Sequence, residues 1–280
     1  MRRSLVTRPG AVLLPALALT LLSLPASAQF VPYYGKNKVT YDNFSWRVYK
    51  TPHFEIYYYP EFEQHLARAS SYLESAYQKV SSTLKHEIGQ PIPVILYKTH
   101  SEFEQTNLGG GFIPEGVLAF AEPVPGRMVP PIDEPPDKLQ RLITHELTHV
   151  FEFHIIPRGI MGANLPLWVD EGLANYMAGY WNVLDLVQVR DAALSDNVPK
   201  MSEFETQPLS GRLPYSLGHA TFEFITEKWG KDGLRQFLFS LRKSVIGGGE
   251  GAYEEALRVK PDEFDEMFDR YLKERFRPFR

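Results

Sequence analysis

The 280-residue chain is 44% hydrophobic, 23% charged and 13% aromatic. That balance supports one large buried core or two modest ones and excludes a disordered or collagen-like polymer. The net charge of −4, without a dense basic stripe, excludes nucleic acid as the main partner, because gripping phosphates takes clustered Lys and Arg. The chain has no cysteine, so disulfides, thiolate metal sites and cysteine nucleophiles are ruled out, and any metal must be held by His, Asp or Glu.

Arg2, Arg3 and Arg8 precede an uncharged apolar run from Ala11 to Leu24, and Ala26-Ser27-Ala28 follows. This is the pattern of a signal peptide cleaved after Ala28. The rival reading, an uncleaved membrane anchor, is weakened by the short apolar run and by Pro15 and Pro25. An exported chain, periplasmic or secreted and without stable membrane insertion, is expected to start at Gln29. Losing the three arginines would leave 27 basic against 34 acidic residues, a balance of −7.

Residues 29–50 read as an extended arm that packs by its aromatics. His53–Tyr59 alternates and predicts a strand ending at Pro60. The stripe Phe62, Leu66, Ala69, Leu73, Ala76, Tyr77, Val80 and Leu84 predicts a helix over 61–86. Pro91–Tyr97 predicts a buried strand, and a short helix runs through Glu102–Gln105. Gly109-Gly110-Gly111 lacks a following Gly-Lys-Ser/Thr and is no phosphate loop; it reads as a plain turn or as a mobile rim loop. Gly116–Ala121 and Arg127–Ile132 read as paired short strands around Pro123-Val124-Pro125-Gly126, the first an edge to which an extended peptide can add. From Pro136 the pattern is helical. The expected fold class is α+β: an N-terminal half with a small mixed sheet, 29–135, and a helical half, 136–280.

His145-Glu146-Leu147-Thr148-His149 lies in a run whose apolar residues, Leu139, Leu142, Ile143, Leu147, Val150 and Phe151, have helical spacing. Four residues advance a helix by about 400°, so both imidazoles stand on one side and can share a metal, with Glu146 beside them to take a proton from a water. A catalytic zinc needs a third protein ligand. The metzincin position, six residues beyond His149, carries Ile155. Pro157-Arg158-Gly159 ends the helix, a loop allows reversal, and a second helix can begin at Pro166. On that helix Glu171 would face the two histidines, and Gly172 would let the two backbones approach closely.

The His145–His149 motif followed by Trp168-Val169-Asp170-Glu171-Gly172-Leu173-Ala174-Asn175-Tyr176 resembles the gluzincin zinc metallopeptidases. It is most similar to the bacterial peptidase MA-like family, and more distantly to thermolysin and the zinc aminopeptidases. Pro214-Tyr215-Ser216-Leu217-Gly218-His219-Ala220-Thr221-Phe222 resembles the tyrosine-bearing helix of that group. The resemblance implies a zincin-like fold with the active-site cleft between its two halves. It also implies one Zn2+ per chain on His145, His149 and Glu171, with Glu146 as general base and Tyr215 as a donor to the tetrahedral oxyanion. Asn175 and Asp170 are candidates for orienting a ligand imidazole. The acidic amine anchor of the aminopeptidases has no counterpart in Gly109–Glu115.

The leading expectation is therefore an exported zinc metallopeptidase acting on a peptide or protein substrate. A catalytically idle module that keeps the fold to hold a peptide or an envelope protein is the alternative, and the intact Glu146 weighs against it. Zinc-dependent hydrolysis of a non-peptide amide or ester is a third reading. His219, one turn beyond Tyr215, is a candidate for lining the site. His154 reads as a helix-end residue, and His53, His65, His86 and His100 as structural or exposed.

Overall fold

The computed structural model describes residues 42–108, 113, 116–156, 165–200, 211–247 and 251–279. The signal segment, Gly109-Gly110-Gly111, the reversing loop after Pro157 and Gly248-Gly249 lie outside the described residues. Phe54, Ile56 and Tyr58 alternate inward along β2 (Phe54–Tyr58), which pairs in parallel with β3 (Ile92–Ile95). β1 (Arg47–Lys50) adds antiparallel to β2. On the other side β5 (Arg127–Val129) runs parallel to β3, and β4 (Phe120–Glu122) pairs antiparallel with β5. The result is a mixed five-stranded sheet in the order β1-β2-β3-β5-β4, with β1 and β4 at its edges.

Two expectations change here. The arm read over 29–50 contains a strand, β1, whose four residues are all exposed. It joins the sheet by backbone pairing and leaves no burial alternation in the sequence. The strand expected over Gly116–Ala121 is only Phe120–Glu122, since backbone pairing with β5 spans three residues and Gly116–Ala119 runs on without it.

A 3-10 turn over Pro60–His65 leads into α1 (Leu66–Leu84), which buries Leu66, Ala69, Leu73, Ala76, Tyr77, Val80 and Leu84 on one stripe. The short α2 (His100–Phe103) is fixed by a reciprocal capping box between Thr99 and Glu102. Pro136 opens α3 (Pro136–Ile155) in the first turn, where a missing N–H costs nothing. Then follow α4 (Leu167–Ala178), α5 (Val183–Leu194), α6 (Leu213–Gly247, kinked at Gly230), α7 (Ala252–Leu257) and α8 (Pro261–Phe276). The chain is thus α+β: the five described strands, with α1 and α2 between them, all precede Pro136 and only helices follow among the described residues, which form a single compact unit. One hydrophobic cluster runs from Phe54 in the sheet through Phe151 and Trp168 to Phe276.

Candidate metal centre

α3 turns Leu139, Ile143, Leu147, Val150 and Phe151 fully into the core, which leaves His145 and His149 on the side that borders a cleft of about 1030 Å³. α4 packs against α3 and carries Glu171 to the same place. His145 Nε2 and His149 Nε2 are 3.2 Å apart. Glu171 Oε2 lies 3.4 Å from the first and 3.9 Å from the second. Tetrahedral ligands about 2.0–2.1 Å from a zinc ion stand roughly 3.3–3.4 Å from one another. Two imidazole nitrogens and a carboxylate oxygen with these separations fit zinc in both donor type and spacing, and the open side toward the cleft leaves room for a fourth position.

His149 is oriented from behind. Its Nδ1 lies 3.0 Å from Glu152 Oε2 and 3.1 Å from Asp170 Oδ1. Two carboxylates around Nδ1 favour a proton there, the tautomer that in the neutral ring presents the Nε2 lone pair toward Glu171 and His145. His149, Glu152 and Asp170 therefore also converge as a cluster, but its contacts consume Nδ1 and act as the support of the first set. Asp170 rather than Asn175 makes the expected orienting contact with His149; both residues line the cleft. Glu152 is 1% exposed and its Oε1 has no hydrogen-bond partner among the described residues. Burial, countered in part by His149, pushes its pKa up to about 8. Burial also opposes charge on His149, yet the bonds to Asp170 and Glu152 prevail and raise that pKa well above its ordinary value. Glu152 is absent from the sequence expectations, although a carboxylate three residues after a ligand histidine lies on its helical face.

Glu146 is buried, lines the cleft, and has its pKa raised by that burial against the pull of His145 and His149. Tyr215, near the start of α6, is half-buried and lines the same cleft. Its pKa is raised, first by burial and then by the charge of Glu171. The structure thus gathers all five expected site residues, His145, Glu146, His149, Glu171 and Tyr215, on one cleft. Phe120 and Ala121 of the edge strand β4, with the preceding Gly116–Ala119, form part of its wall.

The expected close approach at Gly172 is present, but toward a different helix. A Cβ on Gly172 would fall 2.5 Å from the Gly218 backbone, and one on Gly218 would fall 2.1 Å from the Trp168 carbonyl oxygen. The two glycines let α4 cross α6, not α3. His219 does not line the cleft. It is 4% exposed, stacks on Trp181 at 4.0 Å between ring centres, and meets Glu223 at 3.5 Å. His154 Nδ1 lies 3.0 Å from His86 Nε2, so the end of α3 is tied to the segment after α1.

A further pair on the cleft was not foreseen. Asp185, in the first turn of α5, is 5% exposed and accepts from Arg212 Nε at 2.8 Å and Nη2 at 2.7 Å. The two residues stand 27 positions apart, and no local pattern joins them. Compared with models of known protein families and with curated proteins, the chain matches none.

Proposed function

We propose that this chain is an exported, zinc-dependent metallopeptidase of zincin-like fold, of the gluzincin kind, with His145, His149 and Glu171 as the metal ligands. The observation that carries the reading is the convergence of those three donor atoms at 3.2, 3.4 and 3.9 Å, spacings that suit tetrahedral zinc. A zinc ion bound there supplies an acidified water and polarises the scissile carbonyl.

The chain's own residues do the rest. Asp170 and Glu152 fix the ring of His149 through Nδ1. Glu146, whose pKa is raised by burial, takes the proton of the attacking water at its carboxylate and later gives it to the leaving amine. The Tyr215 hydroxyl donates to the oxyanion, a charge that exists only along the reaction path, so its loss lowers turnover more than binding. An extended peptide is accommodated where the cleft wall includes the edge strand β4, since an extended segment can add to a sheet edge by backbone pairing.

The test is Glu146→Gln assayed on a mixed peptide library with metal content measured in parallel. Cleavage falls by roughly 10²- to 10⁴-fold while zinc stays bound. Undiminished cleavage would remove Glu146 from the reaction and this mechanism with it.

A further inference from the structure

Arg212 has an arrangement that a simple strut between α5 and α6 does not need. Its Nε and Nη2 are taken by the buried Asp185, whose side chain is 7% exposed while that of Arg212 is 53% exposed. A guanidinium offers two forked edges, and Asp185 occupies the one formed by Nε and Nη2. The other edge, formed by Nη1 and the second hydrogen of Nη2, has no partner among the described residues, and Arg212 lines the cleft. The residue sits immediately before α6, one turn ahead of Tyr215, and its guanidinium carbon lies 5.6 Å from the Tyr215 ring centre. The other two cations of the cleft are engaged elsewhere. The guanidinium carbon of Arg141 sits over the Tyr180 ring at 3.8 Å from its centre and the side chain pairs with Asp137, and Lys138 pairs with Glu134.

We propose that Arg212 is a specificity-determining residue that binds a carboxylate of the substrate through its free edge, held in aim by Asp185. A planar fork fixed by a buried carboxylate has already lost its rotamer freedom, and its remaining two N–H groups match the two oxygens of a carboxylate. The carboxylate belongs either to an acidic side chain near the scissile bond or to the chain terminus. This inference rests on the metallopeptidase reading for the position of the scissile bond.

The test uses binding, with Glu146→Gln as background so that peptides are held and not cut. N-acetylated hexapeptide pools are prepared with and without Asp and Glu, each as C-terminal acid and C-terminal amide, and titrated calorimetrically against the zinc-loaded protein. Acidic pools bind more tightly than their neutral counterparts, and Arg212→Ala reduces that preference by about 10- to 100-fold, the worth of a charge-assisted pair. Arg212→Lys, which keeps the charge but loses the fork, restores only part of it. A preference that follows the C-terminal acid assigns the terminal carboxylate, and one that follows Asp and Glu assigns the side chain. If Arg212→Ala weakens peptides that carry no carboxylate, the amide pools without Asp and Glu, as much as those that carry one at the terminus or on a side chain, the residue is a strut and the inference is wrong. If zinc is bound and peptides bind without any acidic preference, the inference falls and the metallopeptidase reading stands. Absence of both zinc and peptide binding overturns the metallopeptidase reading and the inference together.

Discussion

His149 is held on both of its ring nitrogens, one facing Glu171 and His145, the other facing Asp170 and Glu152. If Asp170 fixes the tautomer that leaves Nε2 free, Asp170→Asn should lower zinc affinity about 10- to 100-fold, measured by competition with a chromophoric chelator. An affinity equal to wild type would mean that Glu152 alone is sufficient. His145, Glu146 and His149 were legible in the sequence because a helix converts their spacing directly into a shared face. Glu171 was legible because Pro157-Arg158-Gly159 and the residues after it allow a reversal into a second helix, and because Trp168–Tyr176 resembles the gluzincin segment that carries the third ligand. The support was less so. The choice between Asp170 and Asn175 depends on how α4 is rotated, which packing decides. The Arg212–Asp185 pair depends on a contact between two helices that no local spacing announces.

At the scale of elements, the rotation and depth of α4 are set by its crossing with α6. Gly218→Ala would place a methyl 2.1 Å from the Trp168 carbonyl oxygen, inside any tolerable contact. The expected loss is about 1–3 kcal/mol, read by denaturant unfolding, and zinc binding should weaken with it because Glu171 rides on α4. No change in stability would mean that the helices separate without cost and that the crossing does not position the ligand. The glycines were visible in the sequence, but which helix they admit was not, since a glycine states only that something comes close.

A second join ties α6 to α8. Trp181 Nε1 donates to Glu223 at 2.8 Å, and Arg275 pairs with the other carboxylate oxygen. Burial works against the charge of Glu223, yet His219, Arg275 and Trp181 together hold its pKa down to about 2. The unfolded carboxyl titrates near 4.5, so this stabilisation is complete above that pH and is lost as pH falls toward 2. Glu223→Gln should therefore cost about 2–3 kcal/mol at neutral pH and flatten the fall of stability in acid. Equal acid sensitivity in variant and wild type would place the charge elsewhere. By contrast β1, exposed along its whole length, was hidden from sequence reading because it is held by backbone pairing and no buried face marks it.

For the whole molecule, the division into an α+β N-terminal half and a helical C-terminal half followed from the end of strand-like segments near Pro136, beyond which the spacing is helical throughout. The cleft lies where those two parts meet: β4 and the residues before it form part of the wall, and α3, α4 and α6 carry the polar groups. The five site residues come from three helices, His145, Glu146 and His149 from α3, Glu171 from α4 and Tyr215 from α6. The metal, if bound as proposed, links α3 to α4 and stabilises the folded chain by mass action.

The most direct test of the account is the metal content of the purified chain by elemental analysis, with Glu171→Ala prepared in parallel. The account predicts about one zinc per chain, largely lost in the variant. No zinc in the wild type after incubation with excess metal would contradict it, and so would equal zinc in the two proteins.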